Sequence, residues 1–103
     1  MKTFKDVMEV PNDYTGWYYN ERQACKVHRV NGETHNENGP AVIDDFGAKH
    51  WLQNGVWHRL DGPAQIFPSG EKHYYIFDEH FTEKNYWKHP LVLLKKIDSI
   101  LEL

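Results

Sequence analysis

The chain has 103 residues, a formal net charge of −3, and 15% aromatic residues in the form of five Phe, six Tyr and four Trp. A chain of this length buries about two-thirds of its unfolded surface, so we expect a single domain over residues 1–103. The acidic balance and the absence of an evident basic cluster disfavour nucleic acid as a partner.

The N-terminal sequence and the cysteine content indicate the cellular compartment of the protein. Residues 1–10 contain no apolar run long enough for a signal peptide, and no stretch approaches the roughly 20 apolar residues of a membrane span. Cys25 is the only cysteine, which excludes an internal disulfide and a zinc cage built from cysteines. These features predict a cytoplasmic protein without a membrane span.

A 23-residue repeat organises most of the chain. Residues 16–38, 39–61 and 62–84 align without a gap, and a period of this size predicts stacked units that cannot bury their apolar faces alone. The matched positions include Gly16/Gly39/Gly62, Lys26/Lys49/Lys72, Asn31-Gly32/Asn54-Gly55, His35/His58, His50/His73, Pro40/Pro63 and Gly47/Gly70. We therefore expect most of these residues to maintain shape.

Within a unit, the local signals predict a β-hairpin followed by a second reversal. Short apolar or β-branched runs begin with a proline, which a strand tolerates at its first residue, and a glycine-containing turn leads into an aromatic-rich return strand. Asn-Gly is the strongest short hairpin signal. The predicted strands are 40–44, 49–53, 63–67 and 72–77, and the predicted turns are 45–47, 54–55 and 68–70. The expected fold is mainly β, a meandering antiparallel sheet with a C-terminal α-helix.

The C-terminal segment, about 82–103, is predicted to be a helical cap. Thr82 can cap a short turn, and Pro90 suits a first helical position because its missing N–H would have no partner there. Apolar residues then recur at threes and fours, which indicates an amphipathic helix too short to be stable alone. We expect it to dock on the sheet; the alternative is a homo-oligomer or partner contact through Leu91, Leu94, Ile97 and Leu101.

The histidines and the turn residues are expected to be structural. His35 and His58 lie beside tight turns, where an imidazole can bond the backbone, whereas His50 and His73 should face solvent. Because no H-E-x-x-H spacing or Cys cluster exists, we expect no metal and no cofactor. Asn38 and Asp61 fit Asx-type turns before Gly-Pro. The residues assigned to the repeat scaffold are Asn31, Gly32, His35, Gly39, Pro40, Asn54, Gly55, His58, Asp61, Gly62 and Pro63.

No set of residues supports catalysis. Cys25 and His28 lack a third residue that would orient the histidine, and Ser69 and Ser99 lack the strand-turn-helix setting of a nucleophile elbow. The glycines are spaced by the repeat, so they form no phosphate-binding loop. The chain is therefore expected not to be an enzyme.

The stretch Asn54–Ala64 has the pattern N-G-x-x-H-R-x-D-G-P-A, which resembles a repeat family encoded by tailed phages and large DNA viruses. That family is similar to the MORN repeat, whose unit is also 23 residues. The resemblance covers about residues 16–92 and is weaker at 31–41, where Asn36 replaces the arginine. In the third unit Phe77-Asp78 stands in place of Asn-Gly, as expected of a terminal cap.

The resemblance implies an elongated or curled β-sheet scaffold used for binding. The leading hypothesis is a non-enzymatic protein that engages a host protein in the host cytosol, as a host-takeover or anti-defence factor. Aromatic and arginine side chains are enriched at interfaces, which favours Trp51, Trp57, Arg59 and Tyr75 as contacts. Arg59 has a second option, an internal pair with Asp61. The alternatives are a protein that sequesters a small molecule or nucleotide, and a phospholipid-surface module, although the latter needs a basic cluster.

Overall fold

The computed structural model describes residues 1–102 and is mainly β. The strands are β1 Lys2–Phe4, β2 Gly16–Asn20, β3 Cys25–Val30, β4 Glu33–Thr34, β5 Val42–Asp44, β6 Lys49–His50, β7 Leu52–Gln53, β8 Val56–Trp57, β9 Gln65–Ile66, β10 Lys72–Ile76 and β11 Glu79–Phe81. The helices are a 3-10 turn at Val7–Glu9, α1 Glu83–Tyr86 and α2 Pro90–Leu101. Leu103, the last residue of the predicted cap, lies outside the described residues.

The strands form one main sheet with the order β1-β2-β3-β5-β6-β9-β10-β11, to which β4 adds by pairing with β3. The hairpin β7-β8 forms a separate two-stranded sheet. Every strand pair except β1–β2 is antiparallel, which confirms the predicted mainly β fold with hairpin connections and a C-terminal helix. The sheet is mixed, because β1 pairs parallel with β2. This strand precedes the repeats, so their periodicity gave no information about it.

Turns of equivalent geometry recur at the sequence period. The first turn residues Asn31, Asn54 and Phe77 have φ of 49°, 51° and 46°, and the second turn residues Gly32, Gly55 and Asp78 have φ of 81°, 81° and 67°. Two consecutive residues with positive φ define the type I′ turn that matches the twist of a β-hairpin. The other hairpin turn shows the same recurrence, at Ala24, Gly47 and Gly70 with φ of 52°, 97° and 91°.

Two small apolar cores lie on opposite faces of the main sheet. The first contains Val10, Tyr18, Cys25 and Val27, and the second contains Tyr74, Ile76, Tyr86 and Val92. Cross-strand pairing runs from Tyr18 through Val27, Val42, His50 and Gln65 to His73, so these residues share a face. Since successive side chains of a strand alternate, Tyr74 points to the other face.

The C-terminal segment begins as predicted. The Thr82 side chain accepts a hydrogen bond from the Asn85 N–H, and Pro90 occupies the first turn of α2. Val92 is fully buried and Leu91 packs half-buried against the second core, so Leu91 is not part of a free surface as predicted, but the apolar side chains from Leu93 onward lie largely in solvent. The expected docking on the sheet therefore holds only for the first turn. Tyr86 and Trp87 already cover Tyr74, with ring centroids 4.7 and 6.0 Å away, which leaves little sheet surface for the rest of the helix.

Candidate protein-binding surfaces

The two repeat histidines hold the turn of the next unit. The Asn54 N–H donates to Nδ1 of His35, and the Phe77 N–H donates to Nδ1 of His58, both at 3.0 Å. In each case the acceptor lies 19 residues before the donor. His58 is only 5% exposed, and this burial lowers its pKa, so the neutral ring with a free lone pair is favoured. Both imidazoles thus bond the backbone, as the sequence predicts.

Arg59 is held within the fold. Its Nε donates to the Asp61 carboxylate at 2.9 Å, its Nη1 donates to the Pro63 carbonyl at 3.0 Å, and its guanidinium lies 4.0 Å from the Trp51 ring centroid. A Cβ at Gly62 would stand 2.8 Å from the Arg59 Cζ, so the glycine makes room for this arrangement. The predicted pair with Asp61 is therefore present, and the contact role of Trp51 and Arg59 stays a prediction.

The first unit shows how an asparagine substitutes for the arginine. Asn36, which aligns with Arg59, donates from Nδ2 to the Pro40 carbonyl at 3.1 Å. Its Oδ1 accepts from the Asn38 N–H at 3.1 Å, so the Asx-type turn begins at Asn36 and not at Asn38. Asp61 does not form the predicted Asx turn either, because its carboxylate accepts from the arginine side chain. Both corrections have the same physical reason. In each turn, the residue two places earlier, Asn36 or Arg59, provides the side-chain hydrogen bonds that stabilise the turn.

An exposed aromatic cluster, here called the aromatic edge, consists of Trp57, Tyr75 and Phe77. The Trp57 and Tyr75 ring centroids are 5.2 Å apart, and Trp57 is 36% exposed. Phe77 is 65% exposed, although its ring stacks on His58 at 4.0 Å. Asp78 stabilises the aromatic edge through two hydrogen bonds. Its carboxylate accepts from the Trp57 N–H, and its own N–H donates to the Trp57 carbonyl, both at 2.8 Å.

Phe77 is a surface residue that the sequence reasoning missed. A bulky residue with positive φ is uncommon, and such strain tends to occur at functional sites. The available signal was the aromatic residue in place of the asparagine of the other two units. In the sequence, the departure from the repeat pattern at Phe77 indicates only a terminal cap.

A second exposed surface, the apolar stripe, runs along α2. It consists of five large side chains that are 45% to 77% exposed: Leu93, Leu94, Ile97, Ile100 and Leu101. At 3.6 residues per turn these positions form one face of the helix, and Val92, which packs into the second core, lies on another. Exposed apolar surface of this extent commonly marks an interaction site.

The strand register also aligns the repeated lysines, contrary to the expectation of no basic cluster. Lys26 pairs with Ile43, Ile43 with Lys49, Lys49 with Ile66, and Ile66 with Lys72. The three exposed lysines therefore form a row across one face, with two strand spacings, or about 10 Å, between neighbours. The net charge of the chain could not reveal this basic row, because the alignment of the lysines depends on which strands pair.

An open cleft of about 450 Å³ lies between the end of the first unit, the second unit and α2. Its walls include Asn36, Trp51, Gln53, Arg59 and Lys95. The lining also carries the carboxylates of Glu37 and Asp61, so charges of both signs face the cleft. Such a mixed, amide-rich lining can donate and accept hydrogen bonds.

The candidate thiol Cys25 lies in the first apolar core. Cys25 is buried, and burial together with Asp44 and Asp45 raises the pKa of its thiol, which disfavours the reactive thiolate. Among residues 1–102, no group of three or more His, Cys, Asp or Glu side chains could hold a metal ion. Within the same range, no helix has the length and apolar character needed to cross a bilayer.

Comparisons with known proteins give no match to a family model, a curated protein or a solved structure.

Proposed function

We propose that this chain is a non-enzymatic binding protein, in which the β-repeats form a scaffold that presents an aromatic surface to another protein. If the resemblance to phage repeat proteins is correct, the partner is a host protein in the host cytosol, and the chain acts as a host-takeover or anti-defence factor. The observation that carries the proposal is the aromatic edge. The Trp57 N–H donates to the Asp78 carboxylate, the Phe77 N–H donates to the His58 ring, and Tyr75 packs against Trp57, yet the three rings lie partly or mostly in solvent.

The physical basis is the low entropic cost of using rigid aromatic anchors. A partner that covers such rings gains buried apolar area without ordering flexible side chains, and aromatic residues dominate many interfaces for this reason. The strained φ of Phe77 supports the same interpretation. An asparagine at this position would suit the turn better, so the phenylalanine is explained more readily by a contact than by stability.

Affinity capture with matched variants tests the proposal. The tagged chain, Trp57→Ala and Phe77→Asn are incubated with lysate of the natural host, and retained proteins are identified by mass spectrometry. Phe46→Ala is the control, because Phe46 is 83% exposed at a turn far along the chain from the aromatic edge. We expect one protein that the original chain and the control retain and that both edge variants lose. A retained protein insensitive to both edge variants would refute the role of this surface.

We further propose that the apolar stripe of α2 joins two copies of this chain. In α2 the positive residues Lys95 and Lys96 precede the negative residues Asp98 and Glu102. An antiparallel pair of helices places the positive part of each beside the negative part of the other, whereas a parallel pair places like charges together. The charge order therefore favours an antiparallel two-fold pair, in which the apolar stripes of the two copies cover each other.

Light scattering coupled to size-exclusion chromatography measures this association. Ile97→Glu should give a folded monomer, and Ser99→Glu, on another face of α2, should leave the dimer intact. A dimer that Ile97→Glu leaves unchanged, or an unmodified chain that stays monomeric at high concentration, would contradict the two-copy arrangement.

Two specific observations favour other ligand classes. The cleft beside Trp51 and Lys95 favours a small-molecule or nucleotide ligand, which a thermal-shift screen with cyclic nucleotides would detect. The basic row Lys26, Lys49 and Lys72 favours an anionic phospholipid surface, at roughly 1 kcal/mol per lysine. Flotation with anionic liposomes tests that alternative, with Lys49→Glu as the variant expected to lose binding.

A further inference from the structure

The hairpin β10–β11 brings two imidazoles together on its outer face. Tyr75 pairs with His80, so His73, two residues before Tyr75, is the diagonal neighbour of His80 on the same face. Nδ1 of His73 and Nε2 of His80 are 3.5 Å apart, and the ring centroids are separated by 5.6 Å. The sequence gives no motif for this pair, because the seven-residue separation becomes a contact only through the turn at Phe77 and Asp78.

Neighbouring groups hold this pair in a defined orientation. The Glu71 Oε1 lies 3.3 Å from Nε2 of His73, so this nitrogen serves as the donor and Nδ1 keeps its lone pair toward His80. The Phe67 ring packs edge-on against His73 at 5.8 Å, and the Tyr75 ring packs against His80 at 5.2 Å. A carboxylate that bonds the remote nitrogen of a histidine is the usual outer partner of a metal ligand.

We propose that His73 and His80 form a bidentate site for a borderline divalent cation such as Zn²⁺ or Cu²⁺, with Glu71 as the positioning residue. Zinc–nitrogen bonds of about 2.0–2.1 Å in tetrahedral geometry place two ligand nitrogens about 3.3–3.4 Å apart. The observed separation of 3.5 Å is close to this value, so binding requires only that the ion displace the proton between the two nitrogens and that the rings rotate slightly. Both rings are accessible from solvent, so water completes the coordination. The site adjoins the aromatic edge, because the Tyr75 ring packs against His80, but metal binding there does not require a protein partner.

The chemistry of the site predicts an order of affinities. Two neutral imidazoles bind Cu²⁺ more tightly than Zn²⁺, and they do not favour Mg²⁺ or Ca²⁺, which prefer oxygen ligands. With two protein ligands and no third among the described residues, the ion is exchangeable and not part of the folded core. The hairpin does not require the ion for its stability, because hydrogen bonds to Asp78 and His58 already hold its turn.

Calorimetric titration of the purified chain with ZnCl₂ and with CuCl₂ tests the site, in parallel with NMR spectra of the imidazole nitrogens. We expect one ion per chain, tighter binding of Cu²⁺, and selective shifts of the His73 and His80 ring resonances. His80→Asn should weaken both metals by at least about tenfold. Glu71→Gln, which keeps both ligands, should weaken them by about tenfold, in the range seen for outer-shell partners.

His50→Asn is the matched control. His50 aligns with His73 in the repeat, lies on the same sheet face and packs against Phe67, but it belongs to strand β6 and not to the β10–β11 hairpin. Its removal should leave metal affinity unchanged. The proposal is overturned if zinc leaves the His73 and His80 resonances in place, if no saturable binding occurs, or if His50→Asn costs as much affinity as His80→Asn.

Discussion

Replacing His58 with Phe isolates the contribution of one repeat histidine to the fold. The aromatic ring and its burial are kept, but the acceptor for the Phe77 N–H is removed. Leaving a buried donor without a partner costs about 1–3 kcal/mol of the free energy of unfolding. Because Phe77 is exposed, we expect a loss in the lower part of this range, about 1–2 kcal/mol. For a domain of this size, that loss corresponds to a decrease of roughly 5–15 °C in Tm.

The pH dependence of stability provides a second, independent measure. Burial lowers the pKa of His58 in the folded chain below its ordinary value, about 6.5, which the unfolded chain retains. The unfolded chain therefore binds a proton first as the pH falls. The stabilisation is fully present above about pH 6.5 and is lost as the pH falls through the folded pKa. Burial also lowers the pKa of His50, so His58→Phe should remove only part of this slope.

Urea unfolding monitored by tryptophan fluorescence at neutral and mildly acidic pH measures both quantities. The variant should unfold at lower urea with an unchanged m value, and its stability should fall less steeply with acidification. His35→Phe, which removes the equivalent acceptor for the Asn54 N–H, should show a comparable loss at neutral pH. A change below about 0.5 kcal/mol together with an unaltered pH profile would refute the role given to the imidazole lone pair.

Four further variants test the scaffold. Gly32→Ala should prevent stable folding, because the added Cβ would stand 1.8 Å from the backbone oxygen of Asn12. Gly55 has the same φ but open space around it, so Gly55→Ala should lower the free energy of unfolding by only about 1 kcal/mol, measured by urea unfolding. Phe77→Asn should stabilise the fold by a few tenths to about 1 kcal/mol by relieving the left-handed strain, measured as a higher Tm, and a lower Tm would contradict that account. Tyr86→Phe should cost about 1–2 kcal/mol in urea unfolding, since the hydroxyl accepts from the Gly62 N–H; an unchanged midpoint would show that the bond is dispensable.

Local signals predicted the turns that depend on special residues. Asn-Gly pairs at 31–32 and 54–55 adopt positive φ, as does the glycine at position 47, because these residue types tolerate the left-handed region. The turn at Phe77-Asp78 could not be predicted in this way. Its first position is a phenylalanine, which disfavours positive φ, and its geometry is maintained by the His58 and Asp78 hydrogen bonds, which depend on the neighbouring strand.

Features that depend on register or on packing around the helix were less accessible. The apolar periodicity of α2 predicted one face correctly as apolar, but it could not show that Tyr86 and Trp87 would occupy the sheet surface first. The basic row and the pair of His73 with His80 likewise arise from strand pairing. Residue spacing along the chain does not reveal such neighbours until the pairing is known.

The central claim is that equivalent residues 23 positions apart share one backbone path and serve mainly as scaffold. NMR measurement of backbone φ at Asn31, Asn54 and Phe77, from chemical shifts and intraresidue amide-to-Hα contacts, tests it most directly. The account predicts positive φ at all three residues, including the phenylalanine that sequence preference alone would place elsewhere. An extended backbone at Phe77, or different conformations at Asn31 and Asn54, would contradict it.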